Sequence, residues 1–137
     1  MSPVEQLLTR GKVEAQAIGG GGGTFDLGSP LTSLPGSPNA IPCDGDTTLV
    51  VQVDMTAGAV GDLTVTVTPF EADNATLAVG MDLPPVQAPT TNPALSGGHD
   101  YFYGEYDVAS VEYVRVRIAN ANVGAQTITR ASWRLSS

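Results

Sequence analysis

The stretch DLTVTVTPF, residues 62–70, decides the fold class of this chain. In it Leu63, Val65 and Val67 alternate with three threonines. Because successive side chains of a β-strand point to opposite faces, this alternation predicts a strand with one face on a core and the other in solvent. One solvent-facing side is typical of a strand in an antiparallel sheet.

A second strand is predicted just before this stretch. Residues 47–54 place Leu49, Val51 and Val53 on one face. The small residues at 57–61 form a turn between the two strands, so the sequence predicts that they pair as a hairpin.

Further strands are predicted towards the end of the chain. Residues 120–124 contain Asn and Gly, which tolerate positive φ, and are predicted to form a hairpin loop. In the strand that follows, residues 125–135, the apolar side changes near the middle, which predicts a β-bulge. The remaining predicted strands are residues 24–27, 76–81, 101–106 and 112–119.

Two long connections separate these strands. Residues 28–46 and 82–98 each contain four prolines, and connections of this length fit crossings between two sheets. Seven or eight short strands with frequent turn signals predict an all-β fold. The specific prediction is an antiparallel β-sandwich of Greek-key or jelly-roll-like type.

The first part of the chain is predicted to stand apart from this sandwich. Five consecutive glycines at 19–23 have no conformational preference and are typical of a flexible tether. Residues 3–10 favour a two-turn helix, and residues 12–18 fit either a helix or a strand. The predicted organisation is a flexible N-terminal arm with a glycine linker over 1–23 and a sandwich domain over 24–137.

The predicted arm carries a small apolar surface formed by Val4, Leu7 and Leu8. Two turns of helix are too short to be stable alone in water. The arm is therefore either a frayed end or a segment that becomes ordered on a neighbouring subunit. In the second case these three side chains are candidate protein contacts.

The charge of the chain opposes two classes of partner. The formal net charge is −8 at pH 7, whereas nucleic acids and anionic membranes both select clustered Lys and Arg. Four of the six cations are Arg115, Arg117, Arg130 and Arg134. They either pair with carboxylates on adjacent strands, the favoured reading, or dock an acidic surface of another copy.

Few residues have the pattern of a catalytic site. His99 precedes Asp100 and follows Ser96 closely, but sequence neighbours in a loop do not make a catalytic triad. Cys43 has no cationic neighbour and is predicted to be an inert thiol. The chain is therefore predicted not to be an enzyme and to need no cofactor.

Metal binding is considered from the acidic turns. No Cys or His cluster has the spacing of a zinc site. Calcium takes oxygen ligands, and one acidic set at an end of the sandwich could supply them, although acidic turns are usually only solvated. The residues of that set are Asp44, Asp46, Asp54, Asp73 and Asn74.

The tyrosines are the remaining candidate contact residues. Tyr101 and Tyr103 share one face of their predicted strand and leave Phe102 on the other. Exposed tyrosines stack on sugar rings or anchor protein contacts. Packing of part of the tyrosine set in the core is the competing interpretation.

The chain as a whole resembles the small β-sandwich proteins of tailed-phage virions, and above all the head decoration, or cement, proteins. The similarity lies in the short arm, the glycine-rich entry, the Val- and Thr-rich strands, and the ending YVRVRIAN at 113–120. The similarity extends over most of residues 24–137 and is one of general sequence character, without a diagnostic motif. Proteins of this class sit on capsid lattices, often as trimers, and hold adjacent capsomers together.

The resemblance implies a structural virion protein that binds the major capsid protein or other virion subunits. It implies a homo-oligomer, with a trimer favoured, located on the capsid exterior after synthesis in the host cytoplasm. No nucleic acid or membrane partner is expected. The candidate contacts are Val4, Leu7, Leu8, Tyr101, Tyr103, Arg115 and Arg117. The alternatives are a phage tail or neck component and a carbohydrate-binding β-sandwich module.

Overall fold

The computed structural model describes residues 10–27, 33–34, 37–38, 41–43, 45–59, 61–70, 82–86, 90–91 and 98–137. The regular structure in these residues is entirely β. The strands are β1 Arg10–Ile18, β2 Gly23–Leu27, β3 Ser33–Leu34, β4 Ser37–Pro38, β5 Ile41–Pro42, β6 Thr48–Thr56, β7 Leu63–Phe70, β8 Thr90–Thr91, β9 His99–Asp107, β10 Tyr113–Asn120 and β11 Gln126–Ser136.

Two antiparallel sheets form the sandwich. Sheet A has five strands in the order β1-β11-β6-β9-β8. Sheet B is centred on β10, which pairs with β2 and β5 along one edge and with β7 along the other. Strands β3 and β4 pair separately. The predicted all-β antiparallel sandwich is therefore confirmed.

The core lies between the two sheets and is almost wholly apolar. Strand β10 shows the reason, since Val114, Val116 and Ile118 are buried while the residues between them are only half-buried. Trp133 is the largest fully buried side chain. Burying side chains of this kind contributes about 1.5–3 kcal/mol each to folding.

The chain changes sheet at most of its connections. Strand β6 lies in sheet A and β7 in sheet B, so the predicted hairpin between them is wrong. The connecting loop is instead a tight corner, because the Asp62 carboxylate accepts hydrogen bonds from the Gly58 and Ala59 amides at 2.9 Å. Residues 120–124 likewise connect sheet B to sheet A and do not form a hairpin loop.

The predicted β-bulge in the last strand is confirmed. The register between β11 and β6 shifts between Ile128 and Arg130. This shift allows Ile128 and Ala131, which are three positions apart, both to be fully buried. The bulge thus explains why the apolar side of the sequence appears to change along one strand.

Residues 10–18, expected in the arm, form the edge strand β1 and pair with β11. The strand packs on the sandwich because Ile18 is buried in the core and Val13 packs against it. Residues 1–9, with the candidate contacts Val4, Leu7 and Leu8, lie outside the described residues. So does the strand predicted at 76–81.

The glycine run is a turn joining β1 to β2, where a flexible tether was expected. Gly21 and Gly22 have φ values of +69° and +92°, which side-chain-bearing residues rarely adopt. Their amides donate hydrogen bonds to the carbonyls of Asn122 and Asn120 at 2.7 and 2.9 Å. The run therefore carries the chain from sheet A to sheet B over a defined path.

No helix in the described part of the chain is long and apolar enough to cross a membrane.

Candidate binding face

The outward-facing side of sheet A presents the exposed tyrosines. Tyr101 and Tyr103 have relative exposures of 38% and 36%, whereas Tyr106 is 3% exposed and belongs to the core. Phe102, between the first two, packs partly against the core. The prediction that Tyr101 and Tyr103 share a face is confirmed. Core packing of part of the tyrosine set is also confirmed.

Strand pairing determines which residues surround these tyrosines. Tyr101 is directly opposite Asp54 on β6, and Tyr103 is directly opposite Gln52. Since directly opposite residues share a sheet face, the Asp54 carboxylate lies beside the Tyr101 ring and the Gln52 amide lies beside the Tyr103 ring.

His99 belongs to the same face. Its Nδ1 lies 2.7 Å from Oδ1 of Asp54, and its ring is stacked with that of Tyr101 at 6.0 Å between centroids. The side chain of Asp100 is buried instead, and accepts hydrogen bonds from the Gly61 and Leu63 amides at 3.0 and 3.2 Å. His99 and Asp100 therefore do not form a catalytic pair.

A second group of polar side chains surrounds Tyr103. Its hydroxyl donates a hydrogen bond to Glu105 at 3.0 Å, and this bond raises the pKa of Tyr103. The positive charge of Arg134 lowers the same pKa and so acts against Glu105. Arg134 and Glu105 share Val50 as their register partner, so they flank it at the same level of the sheet.

Charge is segregated across this face. The basic half consists of outward residues on β1 and β11, namely Arg10, Lys12, Arg130 and Arg134, with Glu14 as its one carboxylate. The acidic half consists of outward residues on β6 and β9, namely Asp54, Glu105 and Asp107, and has no Lys or Arg. One face thus carries both signs, each on its own side.

The other two candidate arginines lie on sheet B. Arg117 is directly opposite Asp26 of β2, and its Nε and one terminal nitrogen donate to the two carboxylate oxygens at 2.8 and 3.0 Å. This pairing raises the pKa of Arg117. Arg115, on the same face of β10, is half-buried. The favoured internal pairing is confirmed for Arg117. Of the candidate contacts that the structure describes, Tyr101 and Tyr103 lie on sheet A and Arg115 and Arg117 on sheet B, so these four do not form one site.

The acidic set considered for calcium does not converge within the described residues. Asp46 precedes β6 and Asp54 lies near its other end, so about 25 Å of strand separates them. In the described part of the chain no group of three or more Asp, Glu, His or Cys residues could hold a metal ion. Asp44, Asp73 and Asn74 lie outside it.

Sequence reasoning missed most of the face around the tyrosines. Asp54, Glu105, Arg130 and Arg134 are ordinary charged residues in three separate strands, and only the pairing register brings them together. The available signal was the period-two position of each residue in its own strand. That signal predicts the face of a residue but not its neighbours.

No protein-family model and no curated protein matches this chain.

Proposed function

We propose that this chain is a capsid decoration protein of a tailed-phage virion. In this proposal the rigid sandwich is the outer body, and residues 1–9 together with the loops bind the major capsid protein on the capsid exterior. The protein stabilises the lattice by contact and catalyses no reaction. A tail or neck component would use the same contacts at another place in the virion.

The observation that carries the proposal is the attachment of residues 1–9 to β1. The segment continues directly into a nine-residue strand that pairs with β11 from Arg10 onwards. No glycine tether separates it from the body, because the glycine run lies after β1. A load that reaches Arg10 is therefore passed to sheet A, which supports a role in holding capsomers together.

The strand order supports the proposal through the jelly-roll prediction. In sheet A β11 lies between β1 and β6, and in sheet B β10 lies between β2 and β7. Late strands that insert between early ones are a property of Greek-key and jelly-roll connections. Jelly rolls occur in viral capsid proteins and in lectins, so this support is an analogy of fold.

The test is co-sedimentation with empty shells assembled from the major capsid protein of a phage that encodes this chain. We expect a Val4→Ser, Leu7→Ser, Leu8→Ser variant to bind at least about tenfold more weakly, because the apolar contact area is lost. The matched control is a Ser2→Ala, Gln6→Ala, Thr9→Ala variant, which changes polar residues of the same segment. Absence of binding by the unaltered protein would contradict the proposal.

A carbohydrate-binding module is the second candidate, and the exposure of Tyr101 and Tyr103 favours it. Amphipathic rings beside the amide of Gln52 and the carboxylate of Asp54 fit the apolar and hydroxyl-bearing sides of a sugar. The measurement is retention on polysaccharide affinity gels. Retention lost in Tyr101→Ala and Tyr103→Ala but kept in Tyr113→Ala, on the opposite sheet, would favour this candidate.

A further inference from the structure

We propose that the outward face of sheet A binds the same face of a second copy, around a two-fold axis that runs along β6. The proposal concerns self-association and does not depend on the proposed role in a virion. The observation behind it is the segregation of charge on this face. When a second copy is turned over onto the face, its acidic half lies on the basic half of the first copy, and its basic half lies on the acidic half.

Arg10 and Arg134 have no carboxylate directly opposite them, whereas Arg130 lies between Glu14 and Asp54. Lys12 forms an ion pair with Glu14 at 3.3 Å. Arg10, Arg130 and Arg134 form no ion pair with any other residue that the structure describes. These three guanidinium groups are exposed and always charged, and so remain able to bind carboxylates of another molecule.

The strand order converts this charge pattern into a specific arrangement. Sheet A has β6 at its centre, with β11 on one side and β9 on the other. Rotation about an axis along β6 therefore places β11 of each copy over β9 of the other. Arg134 and Glu105 both pair in register with Val50, so Arg134 of one copy meets Glu105 of the second.

The same rotation places Asp54 of each copy on the axis, where the two carboxylates face each other between the two Arg130 side chains. It also brings one further pair of side chains into favourable contact. Arg130 and Tyr101 are both opposite Asp54, so the guanidinium of one copy meets the tyrosine ring of the other. A guanidinium over an aromatic ring is attracted by its negative face. Val50 also lies on the axis, but it is only 8% exposed in the single copy and so adds little to the contact.

The size of the face is sufficient for a specific contact. Four strands about 4.8 Å apart and about nine residues long at about 3.4 Å each, with the two-residue β8 beside them, give roughly 600 Å² per copy. Specific interfaces bury about 600–1,000 Å² per partner, so this face reaches the lower end of that range. The near balance of charge on this face also explains how copies with a net charge of −8 could associate through it.

The segregated charge disfavours partners that carry one sign of charge only. A purely basic or purely acidic partner would be repelled by one half of the face, whereas a second copy presents each half to its opposite. A two-fold contact also differs from the trimer that the virion resemblance implies. In this pairing Tyr101 and Tyr103 lie inside the interface and are covered.

The test is sedimentation equilibrium of the full chain with two charge-reversal variants, Arg134→Glu and Glu105→Arg. We expect the unaltered protein to form dimers that dissociate as NaCl is raised, because salt screens the contacts. Each variant alone should associate on the order of a hundredfold more weakly, since the reversed contact occurs twice in a two-fold interface. An equimolar mixture of the two variants should form dimers again, because both reversed contacts become attractive.

The matched control variants leave the proposed interface unchanged, but they change the net charge of the chain by the same amount as the two charge-reversal variants. Thr24 and Thr64 are exposed on sheet B, and a Thr24→Glu, Thr64→Glu variant matches the charge of Arg134→Glu. A Thr24→Arg, Thr64→Arg variant matches Glu105→Arg. Both should dimerise like the unaltered protein. A monomer at about 1 mM protein in low salt, a mass of three copies, or a variant mixture that stays monomeric would each overturn the proposal.

Discussion

Trp133 lies directly opposite Gly11 in the β1–β11 pair, and its indole fills the space that a side chain at position 11 would occupy. A Cβ atom at Gly11 would be 2.7 Å from Nε1 of Trp133. That nitrogen is buried and has no hydrogen-bond partner among the described residues. The edge strand therefore closes over the largest side chain of the core because one of its residues is glycine.

The first prediction concerns this contact. Gly11→Ala should lower the free energy of unfolding by about 1–3 kcal/mol, because the added methyl group overpacks the indole. Urea unfolding followed by far-UV circular dichroism measures the change, and this signal is kept when Trp133, the only tryptophan, is replaced. Gly19→Ala is the matched control, since Gly19 has open space around it, and should leave stability unchanged or slightly raised.

A double-mutant cycle isolates the contact itself. In a Trp133→Phe background the colliding nitrogen is absent, so Gly11→Ala should cost at least about 0.5 kcal/mol less than in the unaltered protein. Equal costs in both backgrounds would show that the destabilisation has another origin.

The second prediction distinguishes a turn from a tether in the glycine run. Gly21→Ala and Gly22→Ala should each destabilise the protein by about 1–2 kcal/mol, because alanine is strained at the positive φ of both residues. Thermal unfolding compares them with Gly19→Ala. Three variants of equal stability would mean that the run behaves as an unstructured linker.

The third prediction is a pH dependence of stability at the corner between the sheets. Oδ2 of Asp62 accepts hydrogen bonds from Asn122 and from the Gly58 and Ala59 amides, each at 2.9 Å. The bond from Asn122 is the largest cause that lowers the pKa of Asp62 below its usual 3.8. A lowered pKa stabilises the folded state above the unfolded value and loses this effect as the pH falls through the folded value.

We therefore expect Asp62→Asn to be less stable than the unaltered protein by about 1–2 kcal/mol at pH 7. The difference should shrink as the pH falls below about 4, where the carboxylate becomes protonated. Urea unfolding of both proteins from pH 7 to pH 2 measures this. A difference that is constant over the whole range would contradict the assignment of the carboxylate to the corner.

The fourth prediction concerns the thiol of Cys43, which is fully buried. Burial, with smaller contributions from Asp46 and Glu112, raises its pKa to about 12. Only the thiolate reacts with alkylating reagents, so iodoacetamide at pH 8 should label the folded protein at least about 1,000-fold more slowly than the denatured protein. Mass spectrometry of timed samples measures both rates. Rapid labelling of the folded protein would show that this part of the core opens readily.

The sequence predicts the strands well where alternation is strong. The threonine–valine alternation of β7 and the Val114, Val116 and Ile118 series of β10 both define a buried face, because a period of two has one structural meaning. The bulge in β11 can also be predicted from the sequence. A strand whose apolar side changes along its length needs one extra residue to keep both parts facing the core. Strand β1 was ambiguous because Val13 and Ile18 are five positions apart, which fits no period clearly.

Strand partners could not be predicted in the same way. Turn residues at 57–61 and 120–124 indicate a change of direction, and the same residues serve a hairpin and a crossing between sheets. Which occurs depends on hydrogen bonds to distant residues, such as that from the Ala121 amide to the Asp62 carbonyl at 2.8 Å. The charged face of sheet A was missed for the same reason, because its members meet only through the register of β11, β6 and β9.

The pairing of β1 with β11 has a consequence for how the chain folds. Arg10 pairs with Arg134, so one of the earliest contacts in the sequence waits for residues near the opposite end. Loop-closure entropy makes such distant pairings slow, and folding in milliseconds to seconds is typical of all-β domains with this property. While the protein is still emerging from the ribosome, β1 has no partner strand, because β11 with Trp133 has not yet been made. Unpaired strands promote aggregation, so the nascent chain is most exposed to it in that interval.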